Sequence, residues 1–114
     1  MKLLSIVTLD RTGGHPHDDP SIPERMGQLI AEMRAKGALV DTGGRDDEML
    51  ELSVARKNGR TTVTDGPFAE SKEVVGGFAL LDVKDRADAI AWTNRFLEIL
   101  GDAKCYLHEV SPTP

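Results

Sequence analysis

Leu3-Leu4-Ser5-Ile6-Val7-Thr8-Leu9 places apolar residues on both sides of an extended chain. Leu3, Val7 and Leu9 fall on one side, and Leu4 and Ile6 on the other. A strand apolar on both sides belongs in the middle of a sheet and needs cover on each face. Met1-Lys2 and this run superficially resemble a secretory leader. The run is too short, and no small-residue cleavage site precedes Asp10 and Arg11, so it reads as a strand.

Working outward, residues 10–20 form a polar stretch with Gly13, Gly14, Pro16 and Pro20, which reads as a loop. A helix follows. Ser21 is the expected N-cap, Pro23 lies in the first turn, and Glu24 stands three residues on as a capping box. Ile22, Met26, Leu29, Ile30 and Met33 make one stripe at helical spacing, and Gly37 supplies the left-handed stop. Ala38 to Val40 starts a second strand, which Gly43-Gly44 is expected to break or bulge. Leu50, Leu52 and Val54 alternate with Glu51 and Ser53. Asn58-Gly59 is a two-residue hairpin turn, and Thr61 to Thr64 returns as the partner strand. Asp65-Gly66-Pro67 ends it. Gly76-Gly77 leads into Phe78 to Val83, again apolar on both faces.

The second helix is expected from about Asp85 to Leu100, with Asp85 as cap and Asp88 in the first turn. Two adjacent stripes are apolar, Ala89, Trp92, Phe96, Ile99 and Ile90, Leu97, Leu100, a wider face than one sheet contact needs. Gly101 stops it. In the last strand, Lys104 to Val110, Tyr106, His108 and Val110 share one face and Cys105 and Leu107 the other. Strand, helix, strand, hairpin, strand, helix, strand is a split β-α-β order with an elaborated middle. The expectation is an α+β fold, an antiparallel sheet with both helices on one face. Several strands are apolar on both faces, so the helix-free face is expected to close on a second copy as an isologous homodimer.

The 114 residues make a single domain the expectation, large enough to hide roughly two thirds of its unfolded surface. Fourteen basic against nineteen acidic residues give a net charge of −5, which argues against nucleic acid as a partner. No apolar run approaches the length of a membrane span. A single cysteine, Cys105, excludes an internal disulfide and a thiolate metal cluster and suits a reducing cytoplasm. Gly43-Gly44 and Gly76-Gly77 lack the spacing and setting of a phosphate loop, and no cofactor is expected.

Val63-Thr64-Asp65-Gly66-Pro67-Phe68-Ala69-Glu70-Ser71-Lys72-Glu73, followed by Gly76-Gly77-Phe78, closely resembles the signature of the DGPF branch of the YCII-related family. Lys36-Gly37-Ala38-Leu39-Val40 and the Ala89-Ile90-Ala91-Trp92 helix extend the resemblance over nearly the whole chain. It implies a ferredoxin-like fold that dimerises through its sheet faces into an α/β barrel. Related barrels include muconolactone isomerases and a dehydrochlorinase of chlorinated hydroquinones. Some members of the family are encoded beside, or fused to, bacterial extracytoplasmic-function sigma factors. The YCII branch proper is thought to use a His-Asp pair with its His on the first helix. Residues 22–36 contain no histidine, so that pair does not carry over.

The candidate acid/base residue is Asp65, at a strand end beside Gly66. The competing reading makes it a turn residue, with Gly66 and Pro67 setting geometry and Phe68 packing; in the functional reading these three contact the ligand. Glu70 and Lys72 would tune Asp65 or clamp an anionic substrate; otherwise, with Glu73, they form a solvated turn with a surface ion pair. His108, near Tyr106, either exchanges a proton with Asp65 or is a hydrogen-bonded strand histidine. His15, His17, Asp18 and Asp19 are metal-ligand types without a recognisable metal motif, in a loop that is either mobile or a lid. Trp92 and Phe96 read as core or dimer packing, and Cys105 as an inert hydrophobe. Two functions compete. One is a small cofactor-independent enzyme that transfers a proton or eliminates a leaving group on a small organic substrate. The other is a non-catalytic module that senses a small ligand or a protein partner, linked to sigma-factor regulation.

Overall fold

The computed structural model describes residues 1–10, 19–46, 48–66, 68 and 73–111. The elements run β1 (Lys2–Asp10), α1 (Ser21–Ala35), β2 (Leu39–Gly44), β3 (Leu52–Lys57), β4 (Arg60–Asp65), β5 (Glu73–Asp82), α2 (Arg86–Leu100) and β6 (Lys104–Val110). Four strands form an antiparallel sheet in the order β2-β5-β1-β6, while β3 and β4 pair with each other in a separate two-stranded sheet. This is the ferredoxin-like α+β order with a hairpin inserted after β2.

β1 is central, as its double alternation requires. Leu3 and Val7 are buried on the helix side, while Leu4 and Ile6 are half-buried on the other. Leu3 and Leu81 from the sheet pack with Leu29 and Met33 from α1, Ala89 from α2, and Ala38, Leu39 and Val83 beside them. The hairpin turn is made by Asn58 and Gly59, both at positive φ (52° and 77°), as a tight turn with the twist of its strands demands. Gly37 and Gly101 take positive φ, 71° and 93°, where the two helices end.

Several local expectations change. Ser21 does not cap α1. The Asp19 carboxylate accepts from both the Ser21 amide (2.9 Å) and the Ser21 hydroxyl (2.8 Å), so the capping oxygen comes from two residues upstream. At α2 the expected cap holds: Asp85 accepts from the Asp88 amide at 2.9 Å, and Asp88 in turn accepts from the Lys84 amide at 3.0 Å. β2 runs through Gly43-Gly44 instead of breaking there. The glycines make room: a Cβ on Gly43 would lie 2.8 Å from the Phe78 ring, and one on Gly77 would lie 2.5 Å from the Gly43 carbonyl oxygen. The irregularities fall between Leu39 and Asp41, and opposite Gly76 between Val7 and Thr8. β5 starts at Glu73, before the glycine pair, and β3 starts at Leu52. Of the second stripe on α2, Ile90 is exposed.

The protein is a slab of 45 × 41 × 19 Å with a radius of gyration of 15.9 Å. A compact chain of this length is expected near 13 Å. No side chain among the described residues is completely buried. Phe78 and Tyr106, on the helix-free face, keep 38% and 39% of their surface, and Leu4, Ile6 and Leu80 share that face with them. Among the described residues no helix is long and apolar enough to cross a membrane.

Candidate ligand-binding cleft

Small side chains cluster on the helix side of the sheet. Ser5 of β1 pairs with Ala79 of β5, and Val7 pairs with Gly77 of β5 and Cys105 of β6. Little of the sheet therefore fills the space below the helices, and a cleft of about 360 Å³ opens there. Its roof is Met26, Leu29, Ile30 and Met33 of α1 with Trp92, Thr93 and Phe96 of α2. Its floor includes Ser5, Val7, Gly77, Ala79, Leu81 and Cys105, and Leu39, Thr42, Gly43, Gly44 and Phe78 close the β2 side. Trp92 and Phe96 have the core position expected of them, and they also line this space.

The two helices are clasped above it. Arg95 of α2 donates to Glu32 of α1, and Lys36 lies 3.6 Å from the same carboxylate. The guanidinium holds the Glu32 carboxyl below its usual range, and Glu32 raises Arg95 in return. Arg95 and Lys36 lie over the Trp92 ring at 5.1 and 5.6 Å. The ring's charged contacts are thus to these two cations, while the cleft itself is apolar. Thr42 donates to the Phe78 carbonyl oxygen at 2.8 Å, so its hydroxyl is partly committed to the sheet. Cys105 is half-buried. Burial pushes its thiol above the ordinary value, and the Ser5 hydroxyl pulls weakly the other way.

Asp65 ends β4 opposite Leu52 and is exposed on the hairpin, on a sheet separate from the one that carries His108. Gly66 donates its amide to the Glu51 carbonyl oxygen at 2.7 Å, and a Cβ there would lie 2.8 Å from that oxygen, so glycine closes the hairpin base. Phe68 is half-buried. Pro67, Glu70 and Lys72 lie outside the described residues, as do His15, His17 and Asp18. Asp19 caps α1, and Ser21 holds its carboxyl below the usual range. His108 is exposed on the helix-free face, opposite Leu4. Neither Asp65 nor His108 lines the cleft.

Sequence reasoning missed two groupings. The cleft is one, and its signal was available: small residues at inward positions of three strands facing large ones on both helices. The other lies at the far end of β1 on the helix-free face. There the Tyr106 hydroxyl donates to the Glu73 carboxylate at 3.1 Å, and Lys104 stands 3.5 Å from the same carboxylate and 5.4 Å from the Tyr106 ring. Tyr106 first, then Glu73, raise the Lys104 ammonium. These three groups are exposed and satisfy one another. Among the described residues no group of three or more His, Cys, Asp or Glu is placed to hold a metal ion.

Compared with known proteins, the chain matches the family model of the YCII-related domain over residues 15–96 of its 114. No curated protein matches it.

Proposed function

The chain belongs to the YCII-related family, and from that premise we propose that it is a homodimeric module that senses a small, uncharged, largely apolar ligand in the cleft between its helices and its sheet. The observation that carries this reading is the lining. Among the described residues it contains no carboxylate, amine or imidazole, and its polar side chains are Ser5, Thr42, Thr93, Cys105 and the indole of Trp92. An ionic ligand would lose its hydration there without a counter-charge, at a cost of several kcal/mol. The volume suits a ligand at the small end of the usual range, about 300–1,000 Å³, with hydroxyls to orient it.

The same lining weighs against a proton-transfer or elimination enzyme working in this cleft. Such chemistry needs a group that exchanges a proton near neutral pH. Cys105 is the only ionisable side chain of the described lining, and burial keeps it protonated. An enzyme built on Asp65, Glu70, Lys72 and His108 would have to assemble its site elsewhere, and Asp65 and His108 stand on separate sheets.

Homodimerisation is supported by the unfinished shape of the protomer. Helices cover one face of the sheet, the other leaves Phe78 and Tyr106 exposed, and the radius of gyration exceeds that of a compact chain. Sedimentation is expected to give roughly 25 kDa, twice the chain mass; a stable 12.4 kDa species would overturn this part.

Trp92, the single tryptophan, lines the cleft and reports on it directly. Titration with the neutral probe N-phenyl-1-naphthylamine is expected to quench Trp92 saturably. Ala79→Leu, which grows into the cleft, is expected to abolish the quenching, and Asp65→Asn to leave it unchanged. Unsaturable quenching, or binding by Ala79→Leu equal to wild type, would sink the reading.

A further inference from the structure

The β3–β4 hairpin has two unlike faces. Leu52 opposite Asp65, Val54 opposite Val63 and Arg56 opposite Thr61 share one of them. The other presents Ser53, Thr64, Ala55, Thr62, Lys57 and Arg60. Directly paired residues of an antiparallel ladder point to the same side, and Arg56 confirms it by donating to the Thr61 hydroxyl at 3.1 Å. Every residue of both strands is exposed, with Val54 at 63% and Val63 at 59%. An isolated two-stranded hairpin is marginal in water. This one is tied to the main sheet at its base, where Arg45 lies 3.9 Å from Glu51.

The slab leaves the apolar face uncovered. A sheet and a helix layer need about 10 Å each, which accounts for the 19 Å thickness. The hairpin therefore extends in the plane of the slab and folds over neither face.

Charge and area both point to a second copy as the cover. On the apolar face the Val54–Val63 pair is central, Arg56 lies one side-chain row nearer the turn, and Asp65 one row nearer the base. Adjacent rows on one face are about 7 Å apart. Laid antiparallel on its own copy, β3 faces β3 and β4 faces β4: Val54 meets Val54, Val63 meets Val63, Thr61 meets Asp65, and Arg56 lies over Leu52, diagonal to the partner's Asp65 in the same row, a self-complementary pattern as an isologous contact requires. The helix-free face spans four strands about 4.8 Å apart and rows about 3.4 Å apart, a footprint of about 450 Å². The hairpin face adds about 200 Å². These are flat footprints, and with the hairpin added they come nearer to the accessible surface that a standard interface buries, about 800 Å² per partner.

Resting on the homodimer reading, we infer that the hairpin is a dimerisation arm: the hairpins of two copies pack apolar face to apolar face, antiparallel, with Arg56 of each in the same row as the partner's Asp65, one strand across. This assigns Asp65 a docking role across the two-fold axis.

Sedimentation equilibrium over a wide concentration range tests it. Val54→Asp with Val63→Asp is expected to raise the dimer dissociation constant at least a hundredfold. Because Val54 and Val63 are directly paired, Val54→Thr with Val63→Thr, which keeps both positions β-branched and uncharged, is the companion variant expected to leave circular dichroism unchanged while still weakening the dimer at least tenfold. Asp65→Arg and Arg56→Asp are each expected to weaken dimerisation about tenfold, and the double reversal to restore it to within about threefold. A wild-type dimer indifferent to the two valine substitutions would refute the arm. So would a charge reversal without recovery, which would mean that the hairpin meets some other surface. A wild type monomeric at every concentration would refute the homodimer itself, a separate and recognisable failure.

Discussion

The same substitution at two glycines is expected to act in opposite directions. Gly77 is buried in β5, paired with Gly44 of β2 and with Val7 of β1. An added Cβ would lie 2.5 Å from the Gly43 carbonyl oxygen and 3.2 Å from the Gly44 Cα. Both are backbone atoms, so no side chain can swing aside and β2 must move off β5. Overpacking of this kind costs about 1–3 kcal/mol. Each ladder hydrogen bond lost at the displaced end adds about 1 kcal/mol. Alanine recovers about 0.4–1 kcal/mol by stiffening the unfolded chain. The net for Gly77→Ala is a loss of about 2–3 kcal/mol, or about 8–15 °C in Tm for a domain of this size. Gly27 lies in α1, exposed, with nothing within 4 Å of its ideal Cβ. Gly27→Ala is expected to stabilise by up to about 1 kcal/mol through helix propensity alone. Thermal unfolding followed by circular dichroism, with urea titration as a check, measures both. A Gly77→Ala protein within about 0.5 kcal/mol of wild type would show that the close approach of β2 to β5 is not what holds that position to glycine.

Two further outcomes follow from local geometry. Asp85→Ala removes the acceptor of the Asp88 amide and should cost about 1 kcal/mol, with Asp85→Asn retaining most of it; equal urea midpoints for all three proteins would contradict the cap. Cys105 has its thiol raised by burial, so the folded state favours the protonated form. Its contribution to stability is complete below the unfolded thiol value and is lost as pH rises through the folded value. The urea midpoint of wild type should therefore fall more than that of Cys105→Ala between pH 7 and 10. Iodoacetamide should also alkylate the native protein more slowly than free cysteine, and alkylation at the free-thiol rate would contradict the burial.

Where chemistry is local, the chain was readable. The double alternation of Leu3 to Leu9 placed β1 centrally, Asn58-Gly59 gave the turn, and Gly37 and Gly101 gave the helix ends. Errors arose where a distant neighbour decided. Nothing near Gly43-Gly44 announces that Phe78 and Gly77 will press against them, so a break was expected where the strand continues. Ser21 and Asp19 are both good capping residues, and the Ser21 hydroxyl is spent donating to the Asp19 carboxylate. The cleft escaped notice because it is a property of pairing: Ser5, Gly77, Ala79 and Cys105 are small in isolation and become a floor once three strands align. Asp65 and His108 were grouped by chemical type, but which sheet each belongs to depends on the hairpin pairing with itself.

The point where the chain leaves β2 and the point where it enters the glycine pair of β5 are joined by a bond of 3.0 Å from the Arg45 amide to the Gly76 carbonyl oxygen. The β3–β4 hairpin between them is thus an excursion sealed at its neck, and the chain is back in the main sheet by Glu73, which pairs with Asp10 of β1. Closing a longer or shorter loop alters folding free energy only logarithmically with its length. The stem therefore sets strand order and helix packing regardless of what hangs from the neck, and a descendant sequence is free to shorten, lengthen or replace the appendage while inheriting the cleft unchanged.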